Sequence, residues 1–431
     1  MPRPTENLPT APHPTDSHHP TIAPSESSPQ ILLLSHLYPR PKAPSAGIFI
    51  ENWMRALARE GLGIRVISPQ VFVPPLLGHL RRYQGYVGPT RDRRHGLDMY
   101  RPKYLRPPGR WFRRLEPRFV LQAVRPIALR LHKTQPADVV LGVNLLPDGW
   151  AAVELGRMLH LPVVVNAIGS DVNIIPRMGP HTHRLACEVC QQADLLLCQS
   201  QAIRQSLLAM GADPQRTLRF WRGLDLEAFG SVPNREACRA QWPEVSLSQK
   251  LIVFVGQIVR SKGVFDLVEA LAGLGPPFAA QCRLALVGEL TELSAVLRRA
   301  RALGVADRLV VTGLLGHEQA LRWIRAADIL VLPSYAEGLP NVVLEAMALG
   351  TPVVASRAGG LAELATMDQP FFDIEAGDVA ALTRSLQDAL GDPRQSQAMA
   401  ARARRLVQEH FDAQKNSRRL LDLMKSLSRR P

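Results

Sequence analysis

Short uninterrupted apolar runs separated by longer segments of helical period recur along this chain of 431 residues, and the series runs twice. The first series opens with Ile31 to Leu34 and continues through Gly47 to Glu60, where Ile48, Phe49, Trp53, Ala56 and Leu57 share one helical face. Further strands are expected at Ile64 to Ser68, Val139 to Val143, Val163 to Val165 and Leu195 to Leu197, with a helix starting at Gly149. Runs this short and continuous must be buried on both sides, so helices should cover each face of a parallel sheet. The pattern restarts with Leu251 to Val255, Leu284 to Val287, Leu309 to Val311, Ile329 to Leu332 and Val353 to Ala355. The expected fold class is therefore α/β, with two Rossmann-like doubly wound domains over 30–222 and 251–411 facing across a cleft. Between them, 223–250 loses periodicity and carries Pro233 and Pro243, which reads as a linker. A C-terminal helix over 412–431 is a candidate to pack back on the first domain.

Residues 1–29 hold eight prolines and one basic residue, Arg3, with no apolar segment before Ile31. They read as a disordered tail rather than a secretory signal. No run approaches the roughly eighteen apolar residues that a membrane span needs. Five cysteines without regular spacing suit a reducing compartment, so a cytoplasmic location is expected. Cys187 and Cys190, with His181 and His183 nearby, lack a second ligand pair at finger-like spacing; a buried helical face is expected there and no metal site.

The formal charge of +14 is uneven, because residues 1–230 carry 28 basic and 17 acidic side chains. Residues 81–133 alone hold fifteen Lys or Arg against Asp92, Asp98 and Glu116, interleaved with aromatics. Such a region should face something anionic. No recognisable nucleic-acid module accompanies it, and Arg110, Arg113, Arg114 and Arg118 beside Trp111, Phe112, Leu115 and Phe119 suit a helix lying on an anionic leaflet. A solvated helix face is the plainer alternative.

In parallel sheets of this kind ligands bind outside the carboxyl ends of the strands. The run Ile329 to Leu332 leads into Glu337, Gly338, Leu339, Pro340 and Asn341, then into a helix closed by Gly350. Glu337 thus falls on the loop before that helix and Glu345 about one turn inside it. The helix N-terminus favours a phosphate. Two carboxylates there would repel a phosphate they touched, so they should accept hydrogen bonds from sugar hydroxyls on either side of it. A sugar nucleotide offers hydroxyls on both sides.

Glu337 and Glu345, with Gly-Leu-Pro-Asn within the seven residues between them, resemble the paired-glutamate motif of retaining family 4 glycosyltransferases with the GT-B fold. Val255 to Gly263 (V-G-Q-I-V-R-S-K-G) is similar to the loop that neutralises the donor diphosphate, and Thr351 to Glu363 also follows the pattern. So do Gly47, Pro147-Asp148-Gly149, Gly169-Ser170-Asp171 and Gly223-Leu224-Asp225 in the first half. The resemblance runs from about residue 30 to Asp412, and bacterial enzymes of exopolysaccharide and teichuronic-acid-type assembly look nearest. It implies that Glu345 holds the donor ribose, Glu337 the transferred sugar, and Gly338, Leu339, Pro340 and Asn341 the sugar and phosphates through backbone amides. Gly256, Gln257 and Lys262 fall in the diphosphate loop, Gly47 beside the donor, and Thr312 and Leu314 near the base.

Two positions depart from the pattern. Gln257 stands where relatives usually carry Arg, so Arg260 is expected to supply the missing charge, and Ile168 stands where many carry His. A double displacement would need a carboxylate beneath the anomeric carbon, for which Asp171 is the first-domain candidate; front-face attack needs none. The resemblance implies a UDP- or GDP-linked sugar as co-substrate, no bound cofactor, and a lipid-linked or glycan acceptor. No Asp-x-Asp element follows a strand, so no metal is expected, and the basic stretch 81–133 is expected to attach the chain peripherally to the inner face of the plasma membrane. An epimerase or phosphorylase of the same fold, or a sugar-nucleotide-binding protein that has lost catalysis, are the rival readings.

Overall fold

The computed structural model describes residues 29–40, 43, 46–74, 88–106, 112–242, 245–246 and 248–428, with Phe112, Arg113 and Ser428 described by backbone alone. All of the expected tail except Pro29, and residues 81–87 and 107–111 of the basic stretch, including Arg81, Arg82, Arg110 and Trp111, lie outside the described residues.

Among the described residues, ten strands belong to the first half: β1 (Gln30–Leu34), β2 (Gly63–Ile67), β3 (Gln70–Val71), β4 (Arg91–Arg94), β5 (Leu97–Tyr100), β6 (Lys103–Tyr104), β7 (Val139–Val143), β8 (Val163–Asn166), β9 (Leu195–Cys198) and β10 (Thr217–Arg219). Eight of them form one sheet in the order β10-β9-β8-β7-β1-β2-β5-β4, while β3 pairs with β6. Every pairing in the large sheet is parallel except β4 with β5. The hairpin was not evident in the sequence because its strands read Arg-Asp-Arg-Arg and Leu-Asp-Met-Tyr, without an apolar run. Charged β4 sits at the edge, where lysine and arginine discourage pairing with another chain.

Alternation along β1 places Ile31 and Leu33 in one apolar cluster with Trp53, and Leu32 and Leu34 in another with Val124 and Leu145. Both faces are therefore buried, which is why the run is continuous. The second sheet comprises β11 (Lys250–Val255), β12 (Cys282–Val287), β13 (Leu309–Gly313), β14 (Ile329–Leu332), β15 (Val353–Ser356) and β16 (Phe372–Ile374), all parallel, in the order β13-β12-β11-β14-β15-β16.

The described residues of the segment read as a linker are structured and pack with the second domain. It forms short helices at Leu226–Gly230 and Arg235–Arg239, buries Cys238 and Val245, and stacks Trp242 on Trp323 at 4.1 Å between ring centroids. Helices of five residues are too short to display a period, so sequence pattern alone missed them.

The chain crosses between domains at two adjacent points. Leu224 donates to Phe411 O at 2.8 Å and accepts from the Ala413 amide at 2.9 Å. Beyond the second crossing, the Ala413–Ser428 helix lies on the first domain, where Leu420 and Met424 are fully buried in the cluster of Ile31 and Trp53 and Arg418 Nε donates to Glu60 at 2.7 Å. Leu420→Ala is expected to destabilise the first domain by about 2–5 kcal/mol, seen as a lowered calorimetric midpoint, whereas Arg419→Ala on the exposed face should change it by no more than about 0.5 kcal/mol.

Candidate active site in the cleft

The loops after β11 and β14 are tied together before they reach the cleft. The Tyr335 amide donates to Ser261 O at 3.0 Å and its hydroxyl to Asp266 at 2.7 Å. Gly263, at φ +72°, has no room for a side chain because its α-carbon packs against the Pro333 carbonyl. On the other side, Gly359, at φ +56°, packs against the Glu337 carbonyl, and the Gly360 amide donates to Gly338 O at 2.6 Å. Glu337 is thus held between two glycine contacts. Its carboxylate pairs with Lys262 Nζ at 2.7 Å and is largely buried, 8% of the side chain remaining exposed.

These loops close one side of a cavity of about 460 Å³. Gly256, Gln257, Lys262, Glu337, Gly338, Leu339, Pro340 and Asn341 line it from the second domain. Phe49, Ile168, Gln199 and Arg222 line it from the first. The Asn341–Leu349 helix begins at this wall, so its first free amides lie beside the cavity. Gly47, at φ +73°, starts the Ile48–Arg59 helix and lets it pack on the Leu37 backbone, which brings Phe49 to the cavity.

An adjoining cavity of about 470 Å³ shares Phe49 and Asn341 and contains Glu345 and His317. His317 Nε2 lies 3.0 Å from Glu345 Oε1. The two glutamates therefore face neighbouring chambers with Asn341 between them, eight residues apart in sequence.

Four expected residues are elsewhere. The Arg260 guanidinium lies over the Phe265 ring at 4.3 Å and is not part of the cavity wall, so it does not replace the missing Arg; the 260–262 turn directs Lys262 inward and Arg260 outward. Asp171 is fully buried and accepts from the amides of Leu145, Ile168 and Gly169 at 2.9, 3.1 and 2.7 Å, which makes it a clamp on the loop rather than a nucleophile. Burial pushes its carboxyl up while the amides pull it back. Thr312 turns its hydroxyl to Gly313 O at 3.0 Å, and Leu314 is 68% exposed; neither lines the two cavities. Gln257 reaches the wall, and its amide donates to Glu289 at 2.9 Å.

Arg222, Gln199 and His317 had not been singled out from the sequence. Arg222 immediately precedes the Gly223-Leu224-Asp225 element, and its side chain stacks over Phe49 at 4.5 Å. With its carboxamide oxygen turned toward Arg222, Gln199 accepts from Nε at 2.7 Å. Burial lowers the guanidinium to about 9, with no carboxylate among the described residues to offset the loss of solvent. Across the cleft, Glu363 accepts from the Gln201 amide at 2.7 Å and pairs with Arg219.

The Glu345 hydrogen bond raises the His317 imidazole above its ordinary 6.5, outweighing burial. Any stability from this pair is fully present below pH 6.5 and is lost as pH rises through the raised value. In an NMR titration His317 should titrate above 6.5, and Glu345→Gln should bring it down to 6.5 or lower; a midpoint indifferent to the substitution would remove the pair from consideration.

Residues 46–228 match the Glycosyltransferase Family 4 profile and residues 239–406 the profile of Glycosyl transferases group 1. The putative teichuronic acid biosynthesis glycosyltransferase TuaC of Bacillus subtilis is 28% identical over 91% of this chain and 97% of its own length. Other curated relatives are matched over about half their length. Among solved structures, sucrose-phosphate synthase from Thermosynechococcus elongatus superposes with a TM-score of 0.74 at 21% identity, over 93% of this chain and 99% of that one. Anabaena HepE in complex with UDP-glucose superposes with a TM-score of 0.68 at 18% identity, over 92% and 100%. With a family 4 domain followed by a group 1 domain on two facing sheets, the chain belongs to the glycosyltransferases of GT-B fold.

Proposed function

We propose that this glycosyltransferase moves a sugar from a UDP- or GDP-linked donor to a lipid-linked or glycan acceptor, with retention, in the assembly of a cell-surface polysaccharide. The observation that carries the reading is the Lys262–Glu337 pair beside the N-terminus of the Asn341–Leu349 helix, facing the first domain across a cavity large enough for a sugar diphosphate. Lys262 and the helix amides receive the diphosphate. Glu337 accepts from hydroxyls of the transferred sugar, and Glu345, in the adjoining chamber, from the ribose. Fixed cations, rather than a bound metal, neutralise the leaving group. The names of two similar proteins support the substrate class: TuaC carries teichuronic acid biosynthesis in its name, and HepE has been solved with UDP-glucose.

Asp171, enclosed by backbone amides, is no candidate nucleophile, which favours front-face attack. The bond from the anomeric carbon to the diphosphate breaks, the leaving phosphate oxygen takes the proton of the acceptor hydroxyl, and the new glycosidic bond forms on the same face. The acceptor enters from the basic first domain. The Glu116–Thr134 helix buries Val120, Val124, Ala128 and Leu131 in that domain's core and exposes Arg118, Arg125 and Arg130 on its outer side, a basic face suited to an anionic leaflet at the inner side of the plasma membrane.

Incubation with labelled sugar nucleotides and a membrane extract, with and without chelator, tests the reading. One donor should release its nucleoside diphosphate in an extract-dependent, chelator-insensitive way. Glu337→Ala and Glu345→Ala should each lower kcat/KM about tenfold to 150-fold, the loss of roughly 1.5–3 kcal/mol of hydrogen bonding to a charged acceptor. Donor binding without transfer or hydrolysis for any sugar nucleotide would instead favour a binding protein, a reading that Gln257 and Ile168 motivate.

A further inference from the structure

The charge on the cavity wall does not balance a diphosphate from the second domain alone. Gln257 is neutral and engaged with Glu289, and Arg260 lies over Phe265 outside the cavity. Lys262 faces inward, but its charge is already matched by Glu337. Among the residues lining this cavity, the cation left without a carboxylate partner is Arg222, from the opposite domain. It is 8% exposed, stacked on Phe49 and steadied by Gln199, and its Nη1 is buried with no hydrogen-bond partner. A buried guanidinium with an unmet donor is costly unless an anion completes it. Guanidinium also suits phosphate, because its planar fork matches two oxygens at once.

We propose that Arg222 grips the donor diphosphate across the cleft from Lys262, supplying from the first domain the charge that Gln257 leaves out of the second. This rests on the nucleotide-sugar reading above. Its consequence is mechanical as well as electrostatic. The two cations sit on different domains, so both reach the leaving group only when the cleft is closed. An arginine at 257 would neutralise the diphosphate from the donor domain alone; Arg222 makes departure conditional on closure.

The test measures binding of UDP, GDP and their nucleosides, uridine and guanosine, by calorimetry to the unsubstituted chain, Arg222→Met, Arg222→Lys and the double substitution Arg222→Met/Gln257→Arg. For the nucleotide that the unsubstituted chain binds, Arg222→Met should weaken the diphosphate at least tenfold while leaving the nucleoside within twofold. Arg222→Lys should fall between the two, and Gln257→Arg placed in the Met variant should recover most of the lost affinity. The unliganded Arg222→Met chain should melt no lower than the parent, since the substitution removes a buried unpaired charge. Diphosphate affinity unchanged in Arg222→Met, or an equal loss for nucleoside and diphosphate, overturns the role of Arg222 and leaves the donor reading intact. An unsubstituted chain that binds neither diphosphate overturns the donor reading and this inference with it.

Discussion

The loop from Pro333 to Pro340 lies where it does because backbone presses on backbone at both of its ends. Gly263 meets the Pro333 carbonyl, and Gly359 and Gly360 meet the carbonyls of Glu337 and Gly338. A side chain at either contact would push the loop toward the first domain, where Gly338 already abuts the carbonyl of Ile168. The ion pair between Lys262 and Glu337, the entry of the following helix and the width of the cavity all inherit their positions from these contacts. Tight packing of this kind has two consequences: the carboxylate is oriented without using a hydrogen bond from a neighbouring side chain other than Lys262, and little rearrangement is needed when a ligand arrives.

Part of the charge that dominates the first half of the sequence is spent inside the protein. Arg101 is fully buried and reaches Pro39 O and Asp92, Arg65 donates to Leu131 O, and Arg94 holds the buried Glu51. A count of arginines therefore overstates the basic surface. Among the described residues, exposed arginines include those on the outer side of the Glu116–Thr134 helix and on the edge strand β4. The same sorting operates in the cleft, where a buried first-domain arginine rather than an exposed loop arginine faces the cavity.

Ten of the sixteen described strands, their parallel character and the two-domain plan could be read from the sequence because each depends on a local pattern of apolar residues. Glu337, Lys262 and the 338–341 segment were also readable, since strand, loop and helix follow one another directly. What escaped depends on distance along the chain. Arg260 and Lys262 are both basic and two residues apart, and only the turn they form decides which one faces inward. Thr312 is at a strand end where its hydroxyl satisfies a neighbouring carbonyl, a choice made by the bend at Gly313 rather than by residue type. Arg222 lies far from Gln257 in sequence, and nothing local marks a cation that acts across a domain boundary.

That boundary is also where the two halves of the site are kept in register. The chain passes between domains at Gly223–Leu224 and returns at Phe411–Ala413, and the two passages hydrogen-bond to each other. A paired crossing restricts how one domain can swing against the other. On the other side of the cleft, Glu363 ties the second domain to the Gln201 amide and Arg219 of the first. Opening would break this exposed contact, which contributes little by itself. It would also carry Phe49, Ile168, Gln199 and Arg222 away from Lys262 and Glu337 as one body. The aromatic ring, the guanidinium and the lysine pair would then separate together, so the cavity is either complete or dismantled. Under the donor reading proposed above, the grip on the donor falls to the second domain and the closure-dependent charge to the first.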